Sequence, residues 1–177
     1  MTAMSIQEQD AYFLRQAVIH SCGRAFVSRH FGMNGSPSIW RNTGDNLAEE
    51  KLWLSSMTYE GWNGTLLRDR RIAIAGFIAV EMDCEGSPEE SCVESLSGSL
   101  GDWLGDEWGG SDEMSRSEWD ILVSCKDRDI HSVYMVLKRN WKALLAEAEF
   151  LMVEAVEHGS STTTAWGRSQ GFYTPAD

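Results

Sequence analysis

The chain has 177 residues, a formal net charge of −12, 42% apolar residues and eight Trp. That length fits one domain with a sizeable core, and that apolar content excludes an intrinsically disordered chain. The acidic excess excludes a basic nucleic-acid-binding surface and favours a basic protein partner instead.

Ser5-Ile6-Gln7-Glu8 matches a capping box, in which the hydroxyl and the carboxylate satisfy orphan amides at a helix start. Phe13, Ala17, Val18, Cys22, Ala25 and Phe26 then recur at helical spacing, predicting a helix to about His30 that Gly32 and the Asn34-Gly35-Ser36-Pro37 cluster end. Residues 36–64 read as irregular. Leu47, Leu52 and Leu54 predict a helix over 46–57, set against a small β-hairpin somewhere between 36 and 62. Leu66 to Met82 is apolar almost all round, which predicts a buried core helix, with Gly76 and the alanines allowing close backbone approach. A buried strand is the competing reading.

Residues 83–114 form an acidic, Gly/Ser-rich insertion without a Lys or Arg. Its carboxylates include Glu89, Glu90, Asp102, Asp106 and Glu107, and Leu96, Leu100, Trp103, Leu104 and Trp108 lie among them. A purely solvated run would not carry those apolar residues, so a partly ordered segment exposing Trp among carboxylates is expected. Ser115-Arg116-Ser117-Glu118 is a second capping box, opening a helix through Val123. Ile130 to Ala155 trace a long apolar helical stripe in which Asn140 marks a bend or break and Gly159 a stop. Residues 160–177 read as a flexible tail after a single domain over 1–159.

The four cysteines show no CxxC pair, and Cys125 beside Lys126 is the position where a lowered thiol pKa is expected. The N-terminus has no basic and apolar leader pattern, and no apolar run reaches the roughly 18 residues of a membrane span. A cytoplasmic protein with reduced thiols, no membrane contact and no cofactor is the expectation.

Two imidazoles four residues apart on one helix face grip one zinc, and a Glu beside the first activates its water; this is the reason for His-Glu-x-x-His. In this chain His20, Ser21 and Arg24 occupy those three places. A guanidinium cannot coordinate a cation and repels it. Ala17–Gly32 nevertheless resembles the zinc helix of the FtsH-type zinc-peptidase domain family, Ile72–Glu81 is similar to that family's apolar AGxxAE helix, and Gly110-Ser111-Asp112 is similar to its third-ligand segment. The Asn140-Trp141 helix also looks like the end of that domain. The resemblance implies a mainly helical domain in which His20 and Asp112 are vestigial ligand positions, while the catalytic Glu and the second His are lost. Asp112 would then suit an ion pair with Arg24 better than a metal.

Three functional readings follow. The first is an inactive peptidase-like protein that binds a basic or nucleic-acid-binding protein through Glu89, Glu90, Asp102, Trp103, Asp106, Glu107 and Trp108. A phage or mobile-element inhibitor that mimics nucleic acid, as anti-CRISPR proteins do, is one concrete form. The second is a metal-dependent hydrolase with a rearranged ligand set of His20, Asp112 and Glu81. The third is a subunit docking its apolar helices on another protein.

Overall fold

A computed structural model describes residues 6–44, 52–58, 66–86, 96 and 124–162. In chain order these form α1 (Ile6–His30), β1 (Ser36–Arg41), β2 (Trp53–Thr58), α2 (Leu66–Cys84), α3 (Asp127–His158) and β3 (Ser160–Thr162). The fold is mainly helical, with a small antiparallel sheet of order β2-β1-β3.

Each helix contacts the other two, and their apolar faces make the core. From α1 come Leu14, Val18, Ile19, Cys22, Ala25 and Phe26; from α2, Ile72, Ile74, Ala75, Ile78, Ala79 and Met82; from α3, Val133, Leu137, Leu144, Ala148 and Leu151. The near-continuous apolar run of α2 fits a helix buried against both neighbours, and the competing strand is excluded. Among the described residues no helix is long and apolar enough to cross a membrane.

Where α1 crosses α2 the contact is made by small residues. A Cβ at Gly23 would lie 2.6 Å from the Ala79 Cβ and 2.7 Å from the Ala75 carbonyl oxygen. The helix backbones touch there because neither side carries bulk.

The helix expected over 46–57 is corrected: Trp53–Thr58 is a strand, paired from Ser36↔Thr58 to Arg41↔Trp53, and the residues before it lie outside the described ones. Trp53 and Met57 point into the core, and one anchoring aromatic with a β-compatible Ser/Thr/Met run suits a pleated, half-buried surface. The hairpin lies along α1. Asp10 Oδ1 accepts from Trp53 Nε1 at 2.7 Å, and Arg41 stacks 5.5 Å above the Trp53 ring. The first residues of the segment read as a flexible tail are β3, which pairs Ser160, Ser161 and Thr162 with Trp40, Ile39 and Ser38. Residues 163–177 lie outside the described ones.

Helix α3 runs continuously for 32 residues, so Asn140 does not break it in two. The Asn140 amide instead folds back and donates to the Val136 carbonyl at 2.9 Å, satisfying itself locally while buried. Gly159 ends the helix in the left-handed region at φ 74°, its N–H donating to the Ala155 carbonyl.

Candidate functional site

His20 sits on the α1 face that crosses α2. A methyl group at Gly76 would come within 2.5 Å of both Nε2 and Cδ2 of His20 and 2.8 Å of Cγ, so the ring packs closely on α2 at Gly76. Burial of the imidazole, and then the neighbouring Arg24 cation, lower its pKa to about 4. His20 is therefore neutral at pH 7. The ring packs against Gly76, and a guanidinium one turn away opposes any divalent cation nearby. These residues do not fit a zinc site. Ser21, at the place of the catalytic Glu, is buried and donates to the Val18 carbonyl at 3.2 Å. Glu81 lies on α2 beside Tyr12 and Cys84.

Two charged groups that sequence reasoning missed organise the interior. Arg29, near the end of α1, donates from Nη1 and Nη2 to the two carboxylate oxygens of Glu147 on α3 at 2.6 and 2.8 Å. Its Nε donates to the Gly35 carbonyl at 2.9 Å, and its guanidinium stacks 5.1 Å from the Phe26 ring. Both side chains are sequestered, at 1% and 0% exposure. A bidentate pair with a third bond to backbone is the arrangement under which a buried ion pair is tolerated. It joins α1, α3 and the turn into β1.

The second group is Asp129, fully buried in the first turn of α3. Its Oδ2 lies 2.9 Å from Arg70 Nε and accepts from the Lys126 backbone N–H at 3.1 Å, while Oδ1 lies 3.3 Å from Arg71 Nε. One carboxylate thus closes the N-terminus of α3 and ties it to α2. Arg70 and Arg71 are in this way part of the packing of α2 against α3. Cys125 lies beside this node, and its thiol is pushed up to about 12 by burial, then by Asp129, with Arg70 only partly offsetting them. The lowered pKa expected at Cys125 is corrected: the carboxylate and the burial outweigh the adjacent Lys126.

At the surface, His30, His131, Ser132, Met135, Val136, Arg139 and Asn140 line an open depression of about 300 Å³ between the end of α1 and α3. Burial, then Arg139 and Arg71, lower the His30 pKa. Glu154, Glu157 and His158 cluster on the last turn of α3 within metal-ligand distance of one another, and His158 and Glu157 are exposed.

Glu89, Glu90, Asp102, Trp103, Asp106, Glu107, Trp108 and Asp112 lie outside the described residues. Of their stretch, Leu96 is described: it is helical and fully buried in the core. The chain matches no protein-family model, and no curated protein matches it.

Proposed function

We propose that this chain works by binding a protein, as a catalytically inactive, FtsH-type-peptidase-like scaffold whose acidic 83–114 segment engages a basic, nucleic-acid-binding partner. The observation that carries the reading is the one-signed charge of that segment. No Lys or Arg interrupts 83–114, and Trp103 and Trp108 sit among its carboxylates. A field of one sign accelerates association with a cationic surface and imitates a phosphate backbone, while Trp is the residue type that anchors interfaces. Leu96 in the core supports a segment held against the domain. Among the described residues Arg29 pairs with Glu147, Arg41 with Asp10, and Arg70 and Arg71 with Asp129, while Arg15 pairs with Asp83 at the first position of the segment. The neutral His20 packed on Gly76, with Arg24 at the second ligand place, supports an inactive scaffold.

An anti-defence inhibitor of a nucleic-acid-handling complex, of the anti-CRISPR kind and encoded by a phage or mobile element, is the concrete form of this reading. The test is capture of DNA- or RNA-binding proteins on the immobilised full-length chain. Duplex DNA should displace the captured protein, and binding should weaken about tenfold or more between 50 and 200 mM salt. Charge reversal at Asp102, Asp106 and Glu107 should abolish capture. Capture that is indifferent to both salt and charge reversal would overturn the reading.

A further inference from the structure

The outward face of α3 has a composition that the monomer does not use. Met135, Val153 and Val156 are 45%, 52% and 69% exposed. Valine in a solvated helix position gives up side-chain freedom and gains no burial, so two of them there call for a cover. These residues belong to a seam that repeats every seven positions, through Met135, Lys142, Glu149 and Val156, with exposed Ala146 and Val153 interleaved. A seven-residue repeat is the spacing at which one helix keeps its face against another along its length.

The charges on this seam are segregated. Arg139 and Lys142 occupy its N-terminal half and Glu149 its C-terminal half. Neither Lys142 nor Glu149 has an opposite charge three or four residues away, and among the described residues neither forms an ion pair.

We propose that this face is a self-association surface on which α3 of a second copy of the chain lies antiparallel, with the twofold axis beside Ala146. That register places Lys142 opposite Glu149 of the second copy, twice by symmetry, and Met135 opposite Val156 of the second copy. The small Ala146 allows the helices to approach where they cross. An interface of this kind is isologous: one patch complements itself, which a seam of opposite-charged halves requires. The depression lined by Met135, Val136 and Arg139 lies where the second copy's Val156 arrives.

The test is sedimentation equilibrium on the full-length chain at concentrations on the order of 50 μM, with helix content followed by circular dichroism. The wild type should be a dimer. K142E and E149K each face like charge with like and should raise the dissociation constant more than about tenfold. The double variant K142E/E149K restores both contacts in a self-complementary interface and should return to the wild-type mass. A monomeric wild type would overturn the proposal, as would a dimer indifferent to the single reversals or one not rescued by the double variant.

Discussion

Each face of α3 carries a few residues of the kind that usually lie on the other. Inward, Asp129, Asn140 and Glu147 are buried among Val133, Leu137, Leu144 and Leu151; outward, Met135, Val153 and Val156 meet solvent. The inner polar groups are tolerated because each is partnered: Asp129 by Arg70, Arg71 and the Lys126 N–H, Asn140 by the Val136 carbonyl, Glu147 by Arg29. The outer apolar groups stay exposed. The same helix thus carries buried charge that fixes how α1, α2 and α3 meet, and exposed hydrocarbon that suits an external contact.

Breaking the inner arrangement should cost most where a charge is stranded. Glu147→Ala leaves Arg29 buried without its counter-ion and should destabilise the protein by about 3–5 kcal/mol in urea unfolding. The paired change Arg29→Met with Glu147→Leu should cost far less, because it removes both charges together. Asp129→Ala strands the interactions of two arginines and an N-terminal amide but at a site closer to water, and about 3 kcal/mol is expected in the same measurement.

His20 extends the comparison to α1. Its folded pKa of about 4 lies below the usual histidine value of 6.5, so between these the unfolded chain binds the extra proton. Stability should therefore fall as pH drops from about 6.5 to about 4, by about 2–3 kcal/mol, and be fully present above that window. Unfolding curves of wild type and His20→Gln across pH 4–7 should differ in slope there, with the variant flatter. The smallest effect is expected outside: Val156→Glu should change monomer stability by less than about 0.5 kcal/mol while abolishing self-association. Equal costs at Glu147 and Val156 would erase the distinction between the faces.

Much of the helical frame was legible in the residues. The α1 stripe from Phe13 to Phe26, the all-round apolar run of α2 and the Gly159 stop each express a local rule that tertiary packing then obeys. Trp53–Thr58 was misread because Leu47, Leu52 and Leu54 mimic helical spacing, whereas strand pairing with Ser36–Arg41 is a long-range fact. Strand β3 was invisible for the same reason: three Ser/Thr residues carry no pattern, and only β1 gives them a partner. The Arg29–Glu147 pair did leave a signal. Arg29 lies three residues beyond Phe26 on the apolar stripe of α1, and Glu147 three beyond Leu144 and four before Leu151 on that of α3. Two opposite charges on two buried faces of a compact bundle are a candidate pair. Cys125 misled because its neighbour in sequence is Lys126 while its neighbours in space are Asp129 and the Arg70 carbonyl.

Whether the α1–α2 crossing is packing or chemistry decides between a binding protein and a hydrolase, and metal content reads that directly. Elemental analysis should be made on untagged protein purified without chelator, beside His20→Ala. A His20 ring packed on Gly76 beside Arg24 predicts no stoichiometric zinc in either protein. One zinc per chain in the wild type, lost in His20→Ala, would contradict it and restore the rearranged metal site.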